Sequence, residues 1–269
     1  MAKERILFIN QEIAPYISAS PVAALGKFLP VSMQENGFEV RTFMPKFGSV
    51  NERRNQLHEV IRLSGININI DDNDHPLVIK VASLQPSRIQ VYFIDNDDYF
   101  QKQASDIDAA GANREDNDER AIFFARGTME TAKKLRWDPK IIQCSGWITS
   151  LLPLYIKKIY NDDLSFKDSK VIYAIQPAKD LAPIDPKFFA KLKTEGILQK
   201  DLKKFASEPL DINLLHKLGV DFADAIIIND PDIDENLLKY INESGKPVLM
   251  DQDLEQNSQK YLDFYNTLV

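Results

Sequence analysis

Short apolar runs rich in β-branched residues alternate along this chain with stretches whose apolar positions recur at helical spacing, which predicts a mostly parallel α/β sheet. Strands are expected at Arg5–Asn10, Glu39–Met44, Lys140–Cys144, Lys170–Ile175, Asp224–Asn229 and Pro247–Met250. Three further extended runs, Val60–Ile70, Leu77–Leu84 and Ile89–Ile94, are separated only by turn-like residues 71–76 and 85–87. Connections that short pair strands as hairpins, so residues 59–94 are expected to form an antiparallel insertion or edge.

Helix signals fall between these runs. Asp116 and Glu119 form a capping-box pattern ahead of Ala121, Ile122, Ala125, Met129, Ala132 and Leu135. A second helix carries Leu151, Leu152, Tyr155, Ile156 and Ile159, with Pro153 tolerated in its first turn if it begins near Ser150. Asp230 as N-cap and Pro231 at the first position predict a third helix, which Gly245 should stop. A terminal helix presents Leu254, Tyr261, Tyr265 and Leu268 on one side and is expected to pack onto the same domain. Residues 176–208 read as a long excursion with a short helix. No internal repeat or low-complexity linker interrupts the chain, so 1–269 is read as a single domain.

Composition narrows the function classes. The 33 Lys and Arg against 40 Asp and Glu give a net charge of −7, which argues against nucleic acid or an anionic membrane as partner. A single cysteine, Cys144, leaves no disulfide framework and no zinc site of several thiolates. The start is charged too soon for a signal peptide, and no apolar run approaches the roughly 20 residues of a membrane span. The expected location is cytoplasmic.

Few of the usual catalytic signatures are present. His58, His75 and His216 show no metal-ligand spacing and are read as surface histidines. Cys144 closes an apolar strand and is read as an inert buried thiol. The ten glycines form neither a dinucleotide fingerprint nor a P-loop, and the acidic run 71–74 is a solvated turn rather than a calcium loop. No cofactor and no metal are expected. Asp95-Asn96 with Tyr99-Phe100, and Asp116-Asn117 with Glu119-Arg120, stand where strands end and helices begin. Such clusters could hold sugar hydroxyls, or serve only as caps and turns. Trp147, just past a strand, could stack on a sugar ring or seal the core.

The order of these motifs resembles the bacterial glycogen and plant starch synthases, glycosyltransferase family 5. The resemblance is carried by Gln11-Glu12-Ile13-Ala14-Pro15-Tyr16, Leu29-Pro30, Gly37, Glu39-Val40-Arg41, Pro45 and Gly48. It continues through Asp95-Asn96, Tyr99-Phe100, Asp116-Asn117, Trp137-Asp138-Pro139, Trp147, Thr149 and Leu152-Pro153-Leu154-Tyr155, and covers about residues 3 to 235. It implies the Rossmann-like N-terminal half of a GT-B glycosyltransferase, with helices on both faces of the sheet and no C-terminal donor-binding domain. Family members transfer glucose from ADP-glucose to an α-1,4-glucan.

The departures fall on the chemistry. The family's Lys-x-Gly-Gly is here Ser18-Ala19-Ser20-Pro21, which removes a cation and, through Pro21, an N–H donor at the phosphate loop. Ser20-Pro21 is instead an N-cap and first-position pair for a plain helix. The family's His-x-His-Asp-Trp is here Gln143-Cys144-Ser145-Gly146-Trp147, and its Thr-Ile-His-Asn is Ala174-Ile175-Gln176-Pro177. Gln176 can bond a sugar but cannot relay a proton. No catalytic residue is therefore assigned. The resemblance places Glu12, Asp95, Asn96, Asp116, Asn117 and Trp147 around a candidate glucan cleft.

The leading expectation is a non-catalytic protein of glycogen metabolism that binds α-glucan or regulates a glycogen-metabolism enzyme. One alternative is a transferase half active beside a partner chain that supplies the donor domain. The other is an interaction scaffold without a sugar ligand, in which Tyr99, Phe100 and Trp147 would be buried.

Overall fold

A computed structural model describes residues 3–17, 20–101, 113–178, 181–254 and 256–269. The first strand, β1 (Arg5–Asn10), is buried over nearly its whole length, as a continuous apolar run in the middle of a sheet must be. It leads through a loop into α1 (Pro21–Glu35), where Ser20 Oγ accepts from the Ala23 N–H at 3.0 Å, the expected N-cap. Gly26 lets this helix press on the loop, since a Cβ there would stand 2.2 Å from the Glu12 carbonyl oxygen.

The chain continues through β2 (Glu39–Pro45), β3 (His58–Glu59), β4 (Ile66–Ile70), β5 (Asn73–Leu84) and β6 (Ile89–Asp95). Next come α2 (Asn117–Lys134), β7 (Ile141–Ser145), a 3₁₀ turn at Trp147–Thr149, α3 (Leu152–Lys158) and β8 (Lys170–Ile175). The excursion after β8 holds two short helices, α4 (Phe188–Thr194) and α5 (Gln199–Leu202). Then follow α6 (Ile212–Phe222), β9 (Ala225–Ile228), α7 (Glu235–Glu243), β10 (Val248–Met250) and α8 (Ser258–Asn266).

The strands lie in the order β10-β9-β8-β7-β1-β2-β6-β5-β3, with β4 paired to β5. From β10 to β6 every neighbouring pair is parallel, while β5 runs antiparallel to β6, β3 and β4. The fold is a mostly parallel α/β sheet. The antiparallel insertion is narrower than expected, because β6 forms a hairpin with β5 yet also joins β2 as a parallel strand of the main sheet.

Cross-strand register shows that helices cover both faces. Gln143 pairs with Ile172, and Cys144 with Tyr173, so Gln143 and Tyr173 point to opposite sides. Tyr265 of α8 donates its hydroxyl to Gln143 Oε1 at 2.5 Å, while the Tyr173 hydroxyl meets His216 Nδ1 of α6 at 2.8 Å. The terminal helix therefore docks on this domain as expected, with Tyr261 and Tyr265 fully buried.

Several local expectations are corrected. No capping box forms at α2, because Asp116 pairs with Arg114, and Glu119 accepts from Tyr99 and Lys191. Helix α7 starts later than Pro231, because Asp234 accepts from the Asn236 and Leu237 N–H groups and is the effective cap. Helix α6 is additional to the expected elements. Its His216 is no surface residue, and burial lowers its pKa to about 4. His75 also lies inside β5, within 2.9 Å of the Tyr99 hydroxyl.

Candidate functional site

The sheet order reverses at β1, with β2 on one side and β7 on the other, and open α/β sheets take their ligands in the crevice outside the carboxyl ends of the strands at such a point. The strand ends place Asn10 and Gln11, Ser145 and Gly146, and Gln176 around it. Register fixes the first two groups side by side, since Asn10 pairs with Ser145 and the Gln11 N–H donates to the Ser145 carbonyl at 3.0 Å. Gly146 has φ +95°, and a Cβ there would lie 2.8 Å from Gln11 Oε1 and 3.1 Å from Gln176 Oε1. Two amide oxygens thus converge on one glycine, whose lack of a side chain makes room for them.

These amides are buried and incompletely bonded. Asn10, Gln11 and Gln176 are 3%, 6% and 4% exposed, yet Asn10 Nδ2, Gln11 Oε1 and Gln176 Oε1 find no hydrogen-bond partner. A buried polar atom without a partner is costly, by about 1–3 kcal/mol, and marks a place where a ligand or water completes the bonding. Gln143, one turn of the pleat below, is fully engaged: its amide nitrogen donates to Ser145 Oγ at 3.2 Å and its oxygen accepts from Tyr265.

A second polar cluster lies at the end of β6 and the start of α2. Asp95 pairs with Lys80 at 2.9 Å and accepts from Gln101 at 2.7 Å. Asn96 donates to the Pro76 carbonyl and accepts from the Asp98 and Tyr99 N–H groups. Asn117 Oδ1 accepts from Arg120, whose guanidinium lies over the rings of Phe100 and Trp147. Behind them, Lys191 bonds Asp118, Glu119 and Asp185 at 2.7–2.8 Å with its own side chain 2% exposed. Burial alone would lower the Lys191 pKa, but the three carboxylate hydrogen bonds outweigh it and hold the ammonium charged.

Residues 5–249 match the family described as "Starch synthase catalytic domain". The chain belongs to this family. It is 36% identical to a glycogen synthase of Chlorobium limicola over 194 residues, covering 72% of this chain and 40% of that protein. With the glycogen synthase of Chlorobaculum tepidum it shares 33% identity over 258 residues, covering 90% of this chain and 51% of the relative. The chain thus spans about half the length of the curated relatives it matches. The catalytic domain of starch synthase IV from Arabidopsis thaliana, solved with ADP and acarbose, superposes with a TM-score of 0.68 at 14% identity. That superposition covers 93% of this chain and 51% of the plant one, and shows the GT-B fold.

Of the positions that depart from the starch synthase family's motifs, Ser145, Gly146 and Gln176 gather at the crevice. Of the expected cleft residues, Glu12 follows β1 and accepts from Ser20 Oγ at 3.1 Å. Asp95, Asn96, Asp116 and Asn117 belong instead to the second cluster and bond within it. Trp147 is 1% exposed, so its ring is part of the core and offers no stacking face, a correction of the role expected for it. Ser18 lies outside the described residues, while Ser20 and Pro21 start α1. Asn10 and Gln11 are the additions: sequence spacing marked only a strand end, and their location at the reversal of strand order was the available signal. Cys144 is buried, and desolvation raises its thiol pKa. Among the described residues no His, Cys, Asp and Glu group could hold a metal ion, and no helix is long and apolar enough to cross a membrane.

Proposed function

We propose that this glycogen- and starch-synthase-like chain binds sugar hydroxyls at the crevice without transferring a glycosyl group, serving glycogen metabolism as a glucan-binding or partner-regulating protein. The observation that carries this reading is the set of unbonded amide atoms on Asn10, Gln11 and Gln176. Amides supply the donors and acceptors that hydroxyls need, and binding requires nothing more. Chemistry requires more. Gln176 stands where the family resemblance puts a histidine, and an amide neither gives nor takes a proton near neutral pH. The entrance of α1 also supports the reading: Ser20 already occupies the Ala23 N–H and Pro21 has none to offer, which leaves a poor seat for a diphosphate.

Calorimetric titration with maltooligosaccharides and with ADP-glucose tests the proposal. Maltooligosaccharides should bind weakly and lose affinity in Gln176→Leu, while ADP-glucose should bind no tighter than about millimolar, near −4 kcal/mol. Micromolar ADP-glucose binding would overturn the non-transferring reading. A second reading, a scaffold with no sugar ligand, draws on the burial of Tyr99, Phe100 and Trp147, which are 2%, 1% and 1% exposed. Absence of any maltooligosaccharide binding by the wild type would favour it.

A further inference from the structure

At the antiparallel end of the sheet, the loop after β1, the segment entering β3 and the end of β5 enclose a concavity of about 490 Å³. None of the crevice residues lines it, and its size falls in the range of small-molecule sites, roughly 300–1,000 Å³. Pro15, Tyr16 and Ala82 form its apolar wall. Tyr16 is held there by edge-on packing against Phe93 at 4.9 Å, so that wall is rigid.

The polar side is unlike the rest of this acidic protein. Arg54 and His58 line it, and no carboxylate does. Glu52, two residues before Arg54, is turned to Lys46 and Lys80 at 2.9 and 2.7 Å, and Glu59, next to His58, is not among the lining residues. The side chains of Arg54, Gln56, His58, Ser83 and Gln85 make no hydrogen bond or ion pair with other described residues. Five polar groups with open bonding capacity therefore face one concavity.

A cationic ligand would be repelled here, and a neutral one would leave the guanidinium unmatched. Guanidinium pairs best with the paired oxygens of a phosphate or carboxylate, whereas amides and a serine suit hydroxyls. We propose that this concavity binds a small hydroxylated anion of the monosaccharide-phosphate class, with Arg54 and His58 on the anion and Gln56, Ser83 and Gln85 on the hydroxyls. The site is separate from the crevice, so it stands or falls independently of glucan binding there.

The probe is glucose 1-phosphate, titrated calorimetrically into the full chain beside inorganic phosphate and glucose. Glucose 1-phosphate should saturate and bind at least tenfold tighter than either fragment. Arg54→Gln, at an exposed position where the fold is not at stake, should weaken it at least tenfold, and Gln176→Leu should leave it unchanged. The proposal is overturned if glucose 1-phosphate does not saturate, if phosphate or glucose alone binds as well, or if R54Q binds like the wild type. Loss of binding in Gln176→Leu would also overturn it, by moving the ligand to the crevice.

Discussion

The crevice at β1, β7 and β8 and the cluster at β6 and α2 contain much the same residue types, yet the amides of one are not bonded within the protein and those of the other are. Asn96 and Asn117 use their amides within the protein, and Lys191 bonds three carboxylates at once, with Asp118 Oδ1 left as an unpaired oxygen. Asn10, Gln11 and Gln176, equally buried, leave atoms unpaired. The difference lies in what reaches each strand end. A helix start and the α4 segment arrive at β6 with donors and acceptors in place, whereas the crevice meets a glycine. A closed polar cluster contributes stability, and an open one gives it up in favour of binding capacity.

The largest expected loss lies at the terminal helix that covers Gln143. Ending the chain after Asp253 removes the burial of Tyr261, Phe264 and Tyr265, worth roughly 1.5–3 kcal/mol each, so the melting temperature should fall steeply. An unchanged melting curve would show that α8 contributes no packing. Lys191→Ala strikes the closed cluster and leaves three carboxylates facing one another; urea denaturation should show a loss of about 3–5 kcal/mol. Trp147→Ala, between the two regions and beneath Arg120, should cost about 3–5 kcal/mol through the cavity it leaves.

His216 provides a pH test. Its folded pKa of about 4 lies below its ordinary value of 6.5, so the unfolded chain takes up the proton first. Its contribution is full above pH 6.5 and is lost as pH falls toward 4, by about 3 kcal/mol. Urea titrations at pH 7.5 and 4.5 should show this slope in the wild type and a shallower one in His216→Leu.

The smallest effects sharpen the contrast most. Gln176→Leu removes an atom that was already unpaired and should change stability little, within about 0.5 kcal/mol either way. Asn96→Leu strands one carbonyl and two N–H groups and should cost about 1–3 kcal/mol. Equal losses in the two variants would erase the distinction between the regions.

Legibility in the sequence followed the range of the deciding interaction. Arg5–Asn10 and Lys170–Ile175 were readable to the residue because continuous apolar runs report burial locally. Ser20 as a cap was readable because its partner is three residues away. Glu119 was misread as half of a capping box because its partner, Lys191, lies 72 residues on. The orientation of Trp147 was equally hidden, since a tryptophan past a strand end suits core and cleft alike. His216 adjoins the charged Lys217, which masked a helix whose buried face is set by Leu214, Leu215 and Leu218. At the crevice, Gln176 and Gly146 stood out as departures from a motif, but the unpaired atoms of Asn10 and Gln11 exist only once three strands are brought together.

The bond between Tyr265 and Gln143 spans 122 residues. During synthesis at about 5–20 residues per second, roughly 6–25 s separate the emergence of β7 from that of the helix that covers it. For that interval the middle of the sheet is an open face with Gln143 at its centre, available to chaperones or to strand-on-strand misassembly on the ribosome. Slower translation of the segment between β7 and α8 lengthens the exposure, so soluble yield should respond to synonymous codon changes there although the folded molecule stays the same.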